Sequence, residues 1–164
     1  MLLGSPKRQE QEFRSTHQQE LYLETKHIQV VARCRPPSKD ELDSPEVAVI
    51  NKETKTVNVS FGPTMKNKLV KNFHFDKVFG SDASQEEVYE FVLQPMIDDV
   101  IEGFNCTVFA YGQSGTGKTY VIDGDLNCDY DDGFATRAVE SIFDKLESQN
   151  VEFVVRVSLL EICK

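Results

Sequence analysis

The sequence predicts an α/β fold, a layered sheet with helices on both faces. Three features predict it. Strand-type and helix-type segments alternate along the 164 residues, the order that stacks helices on a sheet. The run Cys106-Thr107-Val108-Phe109-Ala110-Tyr111 is apolar at nearly every position, as a strand covered on both faces should be. A glycine-rich turn follows that run directly and leads into a helix from about Lys118.

The elements follow in order. Residues 1–26 are polar, rich in Gln and Glu and weakly periodic, and are expected to form a disordered or partly helical extension. The globular pattern begins at residue 27. Ile28, Val30, Ala32 and Cys34 alternate with Gln29, Val31, Arg33 and Arg35, giving a strand that Pro36-Pro37 stops. Runs 47–50 and 56–61 predict a small hairpin, and 73–79 a further short extended run. Ser84 and Glu87 have the spacing of a capping box, opening a helix that carries Val88, Phe91 and Val92 on one face. Pro95 should kink or break that helix, and Gly103 should stop it. Residues 123–133 are acidic and read as a loop, Ala138, Ile142 and Leu146 mark a helix to about Ser148, and 151–162 is read as a last strand.

Composition narrows the setting. Net charge is −9, which argues against nucleic acid or an anionic membrane as the main partner, since both select a basic surface. No apolar run approaches the ~20 residues that span a bilayer, and residues 1–26 lack the apolar stretch of a secretory signal. A cytosolic or nuclear setting follows. Cys34, Cys106, Cys128 and Cys163 are far apart and form no C-x-x-C pair, so they read as free, buried or partly buried thiols. His17, His27 and His74 show no metal spacing either.

The turn after the apolar run carries the chemistry. Gly112-Gln113-Ser114-Gly115-Thr116-Gly117-Lys118-Thr119 satisfies G-x-x-x-x-G-K-[ST], the phosphate-binding loop of nucleoside triphosphatases. Glycines let the backbone curl so that successive N–H groups face phosphate oxygens. The helix start adds its positive end. Lys118 would reach the β- and γ-phosphates, and the Thr119 hydroxyl would ligate Mg²⁺. A glycine-rich turn without a ligand would show the same loop, but the strand before it and the helix after it are the context the motif requires.

The surroundings make the motif more specific. The segment 103–120, Gly-Phe-Asn-Cys-Thr-Val-Phe-Ala-Tyr-Gly-Gln-Ser-Gly-Thr-Gly-Lys-Thr-Tyr, resembles the heart of a kinesin motor domain, G-[YF]-N-x-T-[IV]-F-A-Y-G-Q-[TS]-x-[ST]-G-K-[TS]. Three other stretches agree in order and spacing: residues 28–36 with Arg33-x-Arg35-Pro36, residues 73–79 followed by Gln85-Glu86-Glu87-Val88-Tyr89, and Ser158-Leu159-Leu160-Glu161-Ile162. The resemblance covers residues 27–164 and is greatest to the spindle kinesins that slide antiparallel microtubules. It implies a phosphate-loop NTPase fold, here incomplete, binding ATP with Mg²⁺. It also implies an adenine site between Arg33, Arg35 and Pro36 on one side and Tyr89 on the other; guanidinium, proline and phenol can all stack on a purine. Taken from the residues alone, plain helix packing is the favoured reading of Tyr89, and a surface charge on the strand that of Arg33.

The same resemblance implies microtubules as partner, a cytoplasmic, cytoskeletal location and ATP hydrolysis coupled to movement. Two departures qualify it. Gly133-Phe134-Ala135-Thr136-Arg137 stands where kinesins read G-[IL]-I-P-R, so Thr136, a possible helix cap, replaces a proline. The family's two γ-phosphate-sensing motifs, N-x-x-S-S-R-S-H and D-L-A-G-[SQ]-E, do not occur in these residues, and no cluster of Lys and Arg suits an acidic microtubule surface. The expectation is a stretch that binds nucleotide, turns it over weakly or not at all, and is marginal in stability because its sheet lacks neighbours. The resemblance places neck and coiled coil elsewhere, so oligomeric state is not written here. The alternatives are a non-catalytic short form that binds tubulin or partner chains, and a non-motor phosphate-loop enzyme, which would not account for residues 28–36 and 73–79.

Overall fold

A computed structural model describes residues 28–45, 47–61, 69–125, 131–150 and 152–162. The expected extension 1–26, the middle of the acidic loop, and Cys128 and Cys163 lie outside the described residues.

The described strands form two sheets. β1 (Val31–Arg33) pairs in parallel with β5 (Lys77–Phe79), in the register Val31↔Lys77, Ala32↔Val78, Arg33↔Phe79. β2 (Ala48–Asn51), β3 (Thr56–Phe61) and β4 (Leu69–His74) form an antiparallel sheet in that order. The hairpin expected over 47–61 is therefore present. Its turn is held by Asn51, whose side-chain oxygen accepts from Thr54 N at 2.9 Å. The run 73–79 is not one strand. Asp76 divides it: its carboxylate accepts from Val30 N at 2.6 Å and its own N–H donates to Val30 O at 2.8 Å, so the chain leaves the hairpin sheet and enters β5 beside β1.

The helices match the punctuation in the sequence. α1 (Gln85–Val92) is capped by Ser84, whose Oγ accepts from Glu87 N at 3.0 Å. α2 (Gln94–Ile101) follows after Leu93 alone. Pro95 lies in its first turn, where a missing N–H costs nothing, so the break falls just before it. Gly103, at φ +99°, ends α2 in a Schellman motif: Phe104 N donates to Asp99 O at 2.9 Å and Gly103 N to Val100 O at 3.0 Å. α3 (Lys118–Asp123) and α4 (Phe134–Ser148) complete the set. α4 starts a turn earlier than Ala138 because Phe134 already belongs to its apolar stripe. Its N-cap is Gly133, so Thr136 sits inside the helix and caps nothing. Gly133 and Gly124 approach so closely across the Gly124–Asp132 bridge that a Cβ on either would collide with the other strand's backbone.

The core lies where α1 and α4 meet β5. Phe79, Val88, Tyr89, Val92, Leu93 and Phe134 are buried together, with Val31, Val108 and Val121 packed on their rim. Phe79 and Phe91 meet edge to face with centroids 5.9 Å apart.

Two expected strands are absent. Residues 104–111 take no regular secondary structure and join no ladder. Cys106, Val108 and Ala110 are half-buried, whereas Phe109 and Tyr111 are 86% and 100% exposed. The run is covered on one face by the helices and has neither a second cover nor a strand neighbour among the described residues. Residues 152–162 likewise form no strand, with Leu159 97% and Ile162 88% exposed. Both are apolar enough for a central sheet, and both lack the hydrogen-bonding neighbour that makes a strand one. The strand expected over 28–36 is confined to Val31–Arg33, which pairs with β5 alone among the described residues.

Candidate nucleotide site

The loop 112–117 joins that apolar run to α3. Gly115 and Gly117 have φ of +80° and +93°, which only glycine adopts without strain. Gly112 is needed for a different reason: a Cβ there would collide with Thr116 Oγ1. The loop closes on the carbonyl of Gln113, which accepts from Thr116 Oγ1 at 2.7 Å and from Lys118 Nζ at 2.8 Å. The Lys118 ammonium is thereby folded over the loop rather than extended into solvent. α3 is short, so the positive field for an anion comes chiefly from this ammonium and the loop amides. Thr119 follows it, exposed, in the first turn of α3. Gln113 and Ser114 belong to the exposed rim of the loop.

A cavity of about 480 Å³ adjoins the loop. Thr116, Gly117 and Lys118 line it together with Arg33, Arg35 and Pro36 and with the apolar Val88, Val92 and Phe134. Of the loop residues that the sequence singled out, Thr116, Gly117 and Lys118 share this cavity with Arg33, Arg35 and Pro36, whereas Gly112, Gln113, Ser114, Gly115 and Thr119 lie outside its lining. Its volume is in the range of ordinary small-molecule sites.

The two arginines are held differently. Arg35 donates from Nε to Gly115 O at 2.8 Å and bidentately to Glu41, with both distances 2.7 Å. Glu41 sits in a short 3₁₀ turn (Lys39–Glu41) and also accepts from Ser38 N at 2.8 Å. The Arg35 guanidinium, and then the Ser38 amide, hold the Glu41 carboxyl down to about 2. Arg35 therefore links the strand to the phosphate loop itself. Arg33 donates to the Gln85 side-chain oxygen and to Ala83 O at 3.2 Å, and its guanidinium carbon lies 5.2 Å from the Tyr120 ring centroid. Tyr120 in turn donates to Asp131. Partial burial, and then that bond, push its phenol pKa up.

Tyr89 is placed elsewhere. It is 5% exposed, outside the cavity lining. Its hydroxyl meets Ser141 Oγ at 2.6 Å and Arg137 O at 3.2 Å, and its ring meets Phe134 edge to face. The expected adenine sandwich is therefore not assembled from both sides here: Arg33, Arg35 and Pro36 line the cavity, while Tyr89 ties α1 to α4.

Four contributors were not singled out from the sequence. Gln85, Glu41 and Tyr120 fix the arginines, and Cys34 lines the cavity with a thiol that partial burial pushes up, keeping it protonated at neutral pH. Gln85 alone left a signal: it shares the stripe of Val88, Tyr89 and Val92, so a polar side chain was due to be buried there.

The residues fit a magnesium triphosphate. The curled loop offers amides and the Lys118 ammonium to the cavity, and Thr119, exposed in the first turn of α3 and outside the cavity lining, carries the next hydroxyl along the chain. Among the described residues no group of His, Cys, Asp or Glu is built to hold a metal, so the cation would rest on Thr119, phosphate oxygens and water, as Mg²⁺ commonly does. Fold and loop together define the phosphate-loop NTPase class of α/β proteins.

Comparison with known proteins then identifies the family. The model described as "Kinesin motor domain" matches residues 33–164, and the chain belongs to that family. Kinesin-like protein KIN-5C of Nicotiana tabacum is 43% identical over 147 residues, covering 83% of this chain and 14% of that protein. KIN-5C of Oryza sativa subsp. japonica is 44% identical over 148 residues, with the same coverages of 83% and 14%. Kinesin-like protein KIF11-B of Xenopus laevis is 42% identical over 147 residues, covering 84% of this chain and 14% of that protein. The chain thus spans 14% of the length of these relatives.

Proposed function

We propose that this chain is the ATP-binding portion of a microtubule-based motor, of the kind its KIN-5 and KIF11 relatives represent. The family activity is ATP hydrolysis coupled to movement along microtubules, in the cytoplasm and on the spindle. The observation that carries the reading is the loop 112–119. It has the kinesin form in sequence, and its lysine is folded over a glycine-shaped curl at the mouth of a cavity lined by Arg33, Arg35 and Pro36.

Each residue then has a role. The amides from Gln113 to Thr119 and the Lys118 ammonium bind the β- and γ-phosphates, Thr119 supplies a hydroxyl to Mg²⁺, and Arg33, Arg35 and Pro36 hold the adenine. Mg²⁺ supplies charge neutralisation between the phosphates. The hydrolytic step also needs a group that orients the attacking water. The family's two γ-phosphate-sensing motifs do not occur in these residues. These residues by themselves should therefore bind ATP and hydrolyse it slowly or not at all.

The test is a coupled ATPase assay of the 164 residues, with and without microtubules, beside a fluorescent-nucleotide titration. Saturable binding with turnover near background in both assays is expected. Microtubule-stimulated turnover would overturn the inactive reading, and absence of binding would overturn the site.

A further inference from the structure

Gln85 is the one polar side chain among the largest fully buried ones, at 2% exposure. It lies in the first turn of α1, a position where a glutamine is ordinarily solvated. Both ends of its amide are used. The oxygen accepts from Arg33 Nη1, and the nitrogen donates to the backbone oxygen of Tyr120 in α3. Arg33 is held a second time by Ala83 O at 3.2 Å and lies over the ring of the same Tyr120. One buried amide therefore joins the strand that lines the adenine side of the cavity to the helix that follows the phosphate loop.

The packing leaves this amide little freedom. Val88 and Val92 beside it on α1, with Phe79 behind them, are buried, so a rotated amide would leave its donor or acceptor unsatisfied in an apolar setting. No buried side-chain nitrogen or oxygen among the described residues lacks a partner. The arrangement thus fixes which way the Arg33 guanidinium faces, and it ties that direction to the placement of α3.

We propose that Gln85 is a positioning residue of the nucleotide site, which acts through Arg33 to align the base-binding wall with the phosphate loop. It need not touch nucleotide. This rests on the ATP-binding reading above, and it predicts a split between base and phosphate. Arg33 bears on the base, whereas the loop is closed independently by Gln113, Thr116 and Lys118. Loss of Gln85 should therefore weaken the binding of ATP more than that of a ligand with no base.

The experiment measures the affinity of the 164-residue chain for MgATP and for magnesium tripolyphosphate by calorimetry. It uses the natural sequence, Gln85→Met, Gln85→Glu, Arg33→Ala and the double variant Arg33→Ala/Gln85→Met, each checked by thermal melt. Methionine keeps the volume and removes both hydrogen bonds; glutamate keeps the acceptor for Arg33. Gln85→Met is expected to weaken ATP roughly tenfold, the effect of one bond to a charged group, with tripolyphosphate changed less than about twofold. Gln85→Glu should restore ATP to within about threefold, and the double variant should be no weaker than Arg33→Ala alone. Equal losses for both ligands, additive losses in the double variant, or no loss would each overturn the proposal. Should Gln85→Met fail to fold, Gln85→Leu decides: a loss for ATP with tripolyphosphate unchanged supports the role, and equal losses or no loss overturn it. A natural-sequence chain that binds neither ligand would instead sink the nucleotide reading, and the positioning role with it.

Discussion

At the scale of single residues, Lys118, Tyr89 and Glu41 make separable predictions. Lys118 holds its ammonium over the loop through one bond to Gln113 O, and nothing in the core depends on it. Lys118→Ala should weaken MgATP binding about 10- to 100-fold, the value of a charge-assisted contact, and leave the melting temperature within a degree or two by differential scanning calorimetry. Tyr89 has the opposite profile. Tyr89→Phe removes the hydroxyl that joins Ser141 and Arg137 O, and should cost about 1–2 kcal/mol in a urea melt with ATP affinity unchanged. A drop in ATP affinity without a loss of stability would return Tyr89 to the adenine site. Glu41 tests the link to the loop by pH. Its carboxyl is held at about 2, below the ordinary 4.5, by Arg35 and then Ser38. A depressed carboxylate contributes stability that is present above its ordinary value and is lost as pH falls toward the depressed one. The Arg35–Glu41 pair should therefore persist through pH 4 and fail only toward pH 2. A carboxyl carbon NMR titration should show this midpoint, and Arg35→Ala should return it to the usual carboxylate range.

At the scale of elements, what the sequence revealed was local. Ser84 as a cap, the break at Pro95, the stop at Gly103, the hairpin turn at Asn51 and the start of α3 after Gly117 depend on neighbours a few residues away, so their signals were readable. Outside the local hairpin of β2 and β3, the extents and partners of the strands were not. A strand needs partners from distant parts of the chain, and β1 and β5 meet across 46 residue positions, from Val31 to Lys77. The run 106–111 had the composition of a central strand but has no ladder, and period-two burial shows only one covered face. The site divides the same way. The loop 112–119 was legible because one continuous segment builds it. The support for Arg33 was not, because Gln85, Ala83 and Tyr120 come to it from α1, the loop before it and α3. The element that the others lean on is β5. Phe79 is 1% exposed, at the centre of the core, and Phe79→Ala should destabilise the chain by about 3–5 kcal/mol. It should also loosen ATP binding by releasing β1, a combined loss that Lys118→Ala would not show.

At the scale of the whole molecule, two features stand against each other. The core between α1, α4 and β5 is closed and well satisfied. Beyond it, Phe109, Tyr111, Val154, Val157, Leu159 and Ile162 present apolar side chains to solvent along two segments. Exposed apolar chain is a template for association. Light scattering at increasing concentration should show the 164-residue chain associating, and Leu159→Lys with Ile162→Lys should reduce this without altering nucleotide affinity. The kinesin family membership gives the phosphate loop its meaning, and the geometry brings the loop's lysine and two arginines to one cavity. The claim that joins them is that this loop grips the phosphates of ATP. A fluorescent-ATP titration of the natural sequence and of Lys118→Ala, each with Mg²⁺ and with chelator, tests it most directly. Saturable binding that needs Mg²⁺ and falls at least tenfold in the variant is the predicted result; binding that is absent, or is the same in both proteins, would contradict it.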